Sequence, residues 1–290
     1  MPLPGPDYLA PAKLNLFLHV VGRRADGYHL LQSVFTLIDR CDRIRVRVRG
    51  DGVIARVNDV PGVAAEEDLA VRAARRLKEV TGTPLGADLE VEKHIPMGGG
   101  LGGGSSDAAT VLLALDRLWA TNLGADALRG LGAGLGADVP FFLFGQSAWA
   151  EGIGERLSPL EVPPRWYLVL VPPVAVPTPL VFAAPELTRN TEALKMEDFS
   201  AQPGSSQWHN DLAPVVLGRF PAVREHFDWL AQRAEARMTG SGGCVFAAFA
   251  SREEAQGLLD QVPEGMRGFI ARGLARHPMG TGDRGARATD

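Results

Sequence analysis

The sequence is richest in glycine at Pro96-Met-Gly-Gly-Gly-Leu-Gly-Gly-Gly-Ser-Ser106, a loop that runs directly into the apolar stretch 107–119. A glycine inside an ordered element costs about 0.5–1 kcal/mol relative to alanine, so a cluster of six requires a reason. Without Cβ atoms, successive backbone N–H groups can surround an anion, and a following helix N-terminus adds about half a positive charge. The loop therefore predicts a phosphate-binding site followed by a helix. A flexible linker is disfavoured, because residues 90–95 before the loop have the pattern of a strand.

Two well-known phosphate loops fit this stretch only in part. The spacing Gly-x-Gly-x-x-Gly from Gly98 to Gly103 matches the dinucleotide fingerprint, which also requires a second strand ending in an acid about 20 residues later. Residues 121–138 contain no convincing strand. The Walker A spacing is also present, but Ser105-Ser106 stands where Lys followed by Ser or Thr is required. The positive charge for a polyphosphate must therefore come from another part of the chain.

Composition and charge restrict the class of protein. Of the 290 residues, 46% are hydrophobic and 22% charged, which allows a large buried core. The net charge of −4 disfavours nucleic-acid binding by bulk attraction, and two cysteines give no disulfide framework or metal-ligand spacing. We find neither a signal peptide nor a stretch long enough to cross a bilayer. We expect a soluble cytoplasmic protein without nucleic-acid or membrane partners, and no obligatory protein partner is evident.

The hydrophobic pattern predicts an α+β protein with two domains. Residues 8–20 alternate with period two, which predicts a strand with one buried face and one partly polar face. The partly polar face carries Lys13, Asn15, Phe17 and His19. We expect a first domain over residues 1–160 and, after a cluster of prolines, a second over residues 161–272. Residues 273–290 are rich in Gly, Arg and Asp, and are predicted to be a disordered tail.

Four motifs in a fixed order make the chain similar to the GHMP kinase superfamily. They are Pro11-Ala-Lys13-Leu-Asn15, Asp26-Gly-Tyr28-His29, the glycine loop 96–106, and Gly136-Ala-Asp138-Val-Pro140. A second glycine-rich turn over residues 239–243 matches the third motif of the superfamily. The resemblance extends from Tyr8 to about Ile270. It implies an N-terminal domain like domain 2 of ribosomal protein S5, a C-terminal ferredoxin-like α/β sandwich, and an active site between them.

Within the superfamily, these motifs resemble those of the kinases that act on a cytidine-diphosphate-linked methylerythritol. The resemblance implies transfer of the γ-phosphoryl group of ATP to the 2-hydroxyl of that small molecule, in the non-mevalonate (methylerythritol phosphate) route to isoprenoid precursors. It also implies ATP and Mg²⁺ as cofactors, although no acidic motif identifies a metal ligand. The implied ATP-binding residues are Pro96, Met97, Gly98, Gly99, Gly100, Leu101, Gly102, Gly103, Gly104, Ser105 and Ser106.

Lys13 and Asp138 are the implied catalytic residues. Phosphoryl transfer is mainly positioning plus stabilisation of charge on the γ-phosphoryl oxygens, and Lys13 would supply the cation that the loop lacks. Its alternative is a solvated strand lysine, which its apolar neighbours disfavour. Asp138 would act as the catalytic base for the attacking hydroxyl. Its alternative is a helix or turn cap.

Aromatic and polar residues elsewhere are the implied substrate-binding residues. Tyr28 would stack on the cytosine, His29 would hydrogen-bond to the edge of the base, and Phe182 would complete the stack. The alternative for Tyr28 and His29 is that their rings only shield the end of a strand from solvent. The alternative for Phe182 is packing in the hydrophobic core. Asn15 would contact the substrate or Asp138.

Several alternatives stay open at this point. Asp107 adds a negative charge near the phosphates, where it would be a helix cap or an indirect contributor to Mg²⁺ binding. Another small-molecule GHMP kinase, acting on homoserine or a mevalonate derivative, would share the glycine loop without needing Tyr28 and His29. A non-catalytic nucleotide sensor on the same fold is disfavoured because Lys13 and Asp138 are both present. A dinucleotide-dependent oxidoreductase is disfavoured by the missing second strand.

Overall fold

The computed structural model describes residues 3–202, 205 and 207–280. Within them, the strands are β1 (Tyr8–Arg23), β2 (His29–Arg49), β3 (Ile54–Arg56), β4 (Gly86–Glu92), β5 (Ala148–Gly152), β6 (Arg156–Pro159), β7 (Trp166–Leu170), β8 (Arg237–Met238), β9 (Val245–Phe249) and β10 (Gly268–Leu274). The helices are α1 (Leu69–Thr81), α2 (Gly103–Leu118), α3 (Ala125–Ala133), α4 (Val139–Phe144), α5 (Thr178–Phe182), α6 (Met196–Ala201), α7 (Ala213–Arg219), α8 (Pro221–Ala231) and α9 (Arg252–Leu259). None of these helices is long and apolar enough to cross a membrane.

The strands form one connected sheet with two lobes. Its main path is β3-β4-β2-β10-β7-β9-β8, with β1 and β5 paired to β2, and β6 paired to β5. All of these pairs are antiparallel except β3 with β4. β10 meets β2 only at Gly273 and Leu274, so this short contact joins the lobe of β1–β6 to the lobe of β7–β10.

Strand β1 differs from the sequence prediction because both of its faces are buried. Lys13, Asn15, Phe17 and His19 are each 3% exposed or less. The backbone of Lys13 donates to Leu101 O at 3.0 Å, and the backbone of Asn15 donates to Thr239 Oγ1 at 3.0 Å. The glycine-rich segments pack on the Lys13 and Asn15 side chains, and Trp208 packs on Phe17 and His19. Cover by distant segments leaves no signal in local alternation, so the period-two pattern assigned this face partly to solvent.

Helix α2 starts earlier than predicted. It begins at Gly103 rather than at Asp107, so the last four residues of the glycine loop form its first turn. Gly102 precedes it with a φ of 74°, and the backbone of Ser106 donates to Gly102 O. The cap interpretation of Asp107 is wrong, since this residue lies in the second turn of the helix and is 3% exposed.

The two largest of the four hydrophobic clusters among the described residues flank the sheet. The first lies among β2, β4 and helices α1, α2 and α4, and the second among β7, β9 and helices α7 and α8. Leu18 and Val20, near the end of β1, belong to the second core although they lie in the predicted first domain. The boundary near residue 160 stays a prediction.

The predicted disordered tail is wrong over residues 273–280. Gly273 and Leu274 are part of β10, and His277 is 2% exposed. The backbone of His277 donates to Gly145 O at 2.8 Å, and Arg117 of α2 donates to Met279 O at 2.5 Å. These contacts are made to residues more than 100 positions away, so low local hydrophobicity did not reveal them. Residues 281–290 of the predicted tail lie outside the described residues.

His277 gives a pH-dependent prediction for stability. Burial, with a smaller effect of Arg117, lowers its pKa from 6.5 to about 4. The unfolded chain therefore binds a proton between pH 6.5 and 4 that the folded chain excludes, and the free energy of unfolding should fall by up to about 3 kcal/mol across that interval. Urea denaturation at pH 4–8 should show this fall as the pH is lowered, and His277→Gln should have a shallower slope, which retains the contributions of His19 and His29, whose pKa values burial also lowers. The same slope in both proteins would contradict the assignment.

Candidate active site

A cavity of about 560 Å³ lies between the two lobes of the structure. It is lined by the glycine loop 96–104, by β1, by the residues before α4, by α5 and by the turn at Gly240 and Ser241. The cavity therefore brings together four of the five sequence motifs. Phe182 also lines it, but Tyr28 and His29 lie beyond this lining.

The glycine loop has the geometry of a backbone anion cradle. Gly100 and Gly102 have φ values of 77° and 74°, the left-handed region that favours glycine. Alternation of left- and right-handed residues turns successive N–H groups to one side, and α2 begins directly behind them. A Cβ atom at Gly100 would collide with Thr239 O, so the second glycine-rich turn packs directly on the loop.

Lys13 is a buried cation at the floor of the cavity. Its Nζ donates to Asn15 Oδ1 at 2.5 Å and lies 3.7 Å from Asp138 Oδ2. The ring of Phe35 lies 5.4 Å from the same nitrogen. A buried charge requires pairing, so the solvated-lysine alternative for Lys13 does not hold.

Asp138 precedes α4 without capping it. Its side chain makes no hydrogen bond to the helix, and it is 35% exposed, facing the cavity beside Lys13. The cap alternative is therefore not what the structure shows. Asn15 does not bridge to Asp138, since its amide nitrogen donates to Ser33 Oγ at 2.9 Å and its oxygen accepts from Lys13.

The predicted base-binding residues lie at the edge of the lobes but are only partly assembled. His29 and Phe182 stack with ring centroids 5.0 Å apart. Tyr28 is 61% exposed and makes no ring contact in the described part of the chain. The structure thus pairs Phe182 with His29 where the sequence predicted a sandwich with Tyr28.

Arg189 fixes the proton of His29 and was missed in the sequence. Its Nε donates to His29 Nε2 at 3.0 Å, so Nε2 accepts and the proton of the neutral ring lies on Nδ1. Burial and the nearby arginines lower the pKa of His29, which favours this neutral form. The Arg189 guanidinium also donates to the backbone carbonyls of Phe182 and Ala184, and these bonds hold the end of α5 in place. An isolated arginine in a proline-rich stretch carries no local signal of this role.

A second lysine, 16% exposed, lies behind the glycine loop. Lys93 donates to Asp42 Oδ2 and, at 2.6 Å, to Asp107 Oδ2. Burial lowers the pKa of Lys93, but the two carboxylates outweigh it and raise the pKa overall. Lys93 and Asp107 both line the cavity. Of these three residues only Asp107 stood out in the sequence, because nothing local relates residues 42, 93 and 107.

Two buried oxygens at the start of α2 lack partners. Ser106 Oγ and Asp107 Oδ1 make no hydrogen bond in the described part of the protein. Buried polar groups are nearly always satisfied, so each of these atoms requires an explanation, and of the two residues Asp107 lines the cavity. The described residues contain no group of three or more His, Cys, Asp or Glu side chains that could hold a metal ion.

The comparisons with known proteins agree on one family. Residues 68–146 match the family described as GHMP kinases N terminal domain, and residues 192–268 match GHMP kinases C terminal. The 4-diphosphocytidyl-2-C-methyl-D-erythritol kinase of Thiobacillus denitrificans is 60% identical over 270 residues, which are 93% of this chain and 96% of that protein. The chain belongs to the 4-diphosphocytidyl-2-C-methyl-D-erythritol kinase family. The kinase of the same name from Aromatoleum aromaticum is 56% identical over 273 residues, 94% of this chain and 95% of that one.

Solved structures confirm the expected α+β GHMP kinase fold. A crystal structure of 4-(cytidine 5'-diphospho)-2C-methyl-D-erythritol kinase matches with a TM-score of 0.80 and 36% identity, covering 92% of this chain and 99% of that one. A mevalonate kinase matches with a TM-score of 0.69 and 16% identity over 93% and 99% of the chains, which shows a shared fold alone.

The cradle geometry predicts the effect of a single methyl group. A Cβ at Gly104 would meet only Leu69 Cδ1, at 3.6 Å, and both residues line the cavity. Gly104→Ala should therefore keep or raise the melting temperature, because alanine favours the helix. It should weaken ATP binding about tenfold by crowding the phosphates, as measured by calorimetry.

The control for this prediction is Gly130→Ala, on the exposed side of α3, where a Cβ has nothing within 4 Å. It should leave ATP binding unchanged. Equal ATP affinity in Gly104→Ala and the parent protein would contradict the cradle assignment.

Proposed function

We propose that this protein transfers the γ-phosphoryl group of ATP to the 2-hydroxyl of 4-diphosphocytidyl-2-C-methyl-D-erythritol. Membership of the family supports the reaction. The observation that carries the chemistry is the buried Lys13 ammonium 3.7 Å from the Asp138 carboxylate, at the cavity lined by the glycine loop. Both substrates are charged, water-soluble nucleotides, which agrees with the expected cytoplasmic location.

The glycine loop would hold the ATP phosphates. Its backbone N–H groups and the N-terminus of α2 supply donors and partial positive charge without a Walker lysine. Mg²⁺ would enter with the nucleotide, since this ion usually keeps several waters and is held largely by substrate phosphates rather than by an all-protein cage.

Asp138 would act on the attacking hydroxyl, and Lys13 would act on the γ-phosphoryl group that is transferred. Asp138 accepts the proton of the attacking hydroxyl as its oxygen bonds to the γ-phosphorus. The bond from that phosphorus to the bridging oxygen breaks, and ADP leaves with the electron pair. Lys13 stabilises the negative charge on the γ-phosphoryl oxygens, and its hydrogen bond to Asn15 fixes its position.

The cytidine end of the substrate would bind at Tyr28, His29 and Phe182. The Nδ1–H of His29 is a donor that suits an acceptor on the edge of the cytosine, because Arg189 occupies the other ring nitrogen. The Tyr28 side chain is 61% exposed, so its ring is accessible to the base. The His29–Phe182 stack would then have to open or serve as one wall of the base site.

The catalytic pair predicts the outcome of a direct activity test. ADP release from ATP should require the cytidylated substrate and should be slow with methylerythritol phosphate. Asp138→Asn should lower kcat about 10²–10⁴-fold with little change in KM, because the proton acceptor is lost. Lys13→Ala should lower kcat by a similar factor. The double variant should lower kcat by much less than the product of the two single factors, because the residues act as a unit.

Asp126→Asn is the matched control, since that carboxylate is 95% exposed on α3. It should have the activity of the parent protein. Full turnover in Asp138→Asn, or turnover independent of the cytidylated substrate, would refute the proposed reaction.

Tyr28 predicts a separate effect on substrate selection. Loss of one base–aromatic stack is worth about 1–3 kcal/mol, so Tyr28→Ala should raise KM for the cytidylated substrate about tenfold while KM for ATP changes little. Tyr28→Phe keeps the ring and should behave like the parent protein. An equal loss for both substrates in Tyr28→Ala would show that Tyr28 does not select the base.

A further inference from the structure

Asp107 is a buried carboxyl group that lines the nucleotide cavity with one oxygen unused. Its Oδ2 accepts from Lys93 at 2.6 Å, whereas its Oδ1 has no partner among the described residues. The side chain is 4% exposed and lies in the second turn of α2, directly after the phosphate loop. The carboxyl group therefore lies at the wall of the cavity where the nucleotide phosphates are expected.

Asp42 and Asp107 differ in the number of hydrogen-bond donors that face them. Lys93 is one cation shared by two carboxyl groups. Asp42 also accepts from the backbone N–H groups of His94, at 2.5 Å, and Ile95, at 2.7 Å. Three donors thus face Asp42, and only one donor faces Asp107.

Other charged side chains on the elements packed around α2 pair with groups other than Asp107. The pairs are Lys13 of β1 with Asp138 before α4, Asp68 before α1 with Arg56, and Asp126 with Arg129 on α3. On α1, the side chains of Arg72, Arg75, Arg76 and Glu79 are exposed, and Lys78 donates to backbone carbonyls. Lys93 and Asp42 are therefore the charges that decide the state of Asp107.

We propose that Asp107 is a nucleotide-binding residue that works as a neutral acid, with its free oxygen donating a hydrogen bond to a phosphate oxygen of ATP. This inference rests on the proposed use of ATP. A neutral carboxyl carries one O–H donor, whereas an ionised one offers acceptors only and would repel the polyphosphate. Burial raises the pKa of Asp107 to about 8, with Lys93 opposing and Asp42 adding to the effect, which agrees with a protonated side chain at neutral pH.

The pH dependence of ATP affinity tests this inference. As pH rises through about 8, Asp107 in the parent protein loses its proton, so the Kd for MgATP should rise about tenfold by pH 9.5. Asp107→Asn keeps the shape and always presents donors, so its Kd should match that of the parent at pH 7 and lack this rise. Calorimetry from pH 6.5 to 9.5 on both proteins separates Asp107 from the titration of ATP itself.

Two further variants complete the comparison. Asp107→Ala should bind MgATP weakly at all pH values, because no donor remains. Asp126→Asn, the exposed control, should follow the parent curve. Identical pH curves for the parent and Asp107→Asn would overturn the inference while leaving ATP binding intact. No binding of MgATP by the parent at any pH would overturn both the proposed function and this inference.

An infrared measurement keeps the test independent of variant folding. The parent protein at pH 7 should show the C=O stretch of a buried protonated carboxyl, and the band should disappear on titration above pH 8. If Asp107 were instead an ionised Mg²⁺ ligand, that band would be missing, and Asp107→Asn would raise the Mg²⁺ concentration needed for activity. Either of these results would contradict the neutral-acid assignment.

Discussion

The architecture of the site depends on holding the Lys13 ammonium in the interior of the protein. An unpaired buried charge is strongly unfavourable, so Asn15 and Asp138 must both be in place. Their placement depends on both lobes, because the backbone of Asn15 is bonded to Thr239 of the second lobe and Asp138 precedes α4 of the first. The Lys13 cation is therefore stabilised only when the two lobes are packed together, which is also when the site is assembled.

The glycine-rich segments make this close approach possible. A Cβ at Gly102 would meet Phe142 and, at 3.2 Å, Lys13 Cγ, and one at Gly240 would meet Lys13 Nζ at 3.3 Å. The loop thus lies between two lysine–carboxylate groups, Lys13 with Asp138 in front and Lys93 with its two acids behind. In the first group Asp138 is 35% exposed and suits proton transfer, whereas both carboxyl groups of the second are buried and suit a fixed hydrogen bond to the nucleotide.

Local sequence patterns predicted the parts of the structure that have a local cause. The glycine loop, the strand character of β1 and the α+β class follow from spacing and alternation, and the motif order led to the family. The burial of both faces of β1, the docking of residues 273–280, and the partnerships of Arg189 and Lys93 were not predictable in this way. Each depends on contacts between residues far apart in sequence, for which one sequence alone gives no signal.

The most direct test of the central claim is a crystal structure with a non-hydrolysable ATP analogue and the cytidylated substrate bound together. The account predicts the 2-hydroxyl oxygen at about 2.6–3.2 Å from an Asp138 carboxylate oxygen, with a γ-phosphate oxygen bound to Lys13 Nζ. The phosphates would lie on the backbone of residues 98–104. A 2-hydroxyl turned away from Asp138, or phosphates bound outside the glycine loop, would contradict it.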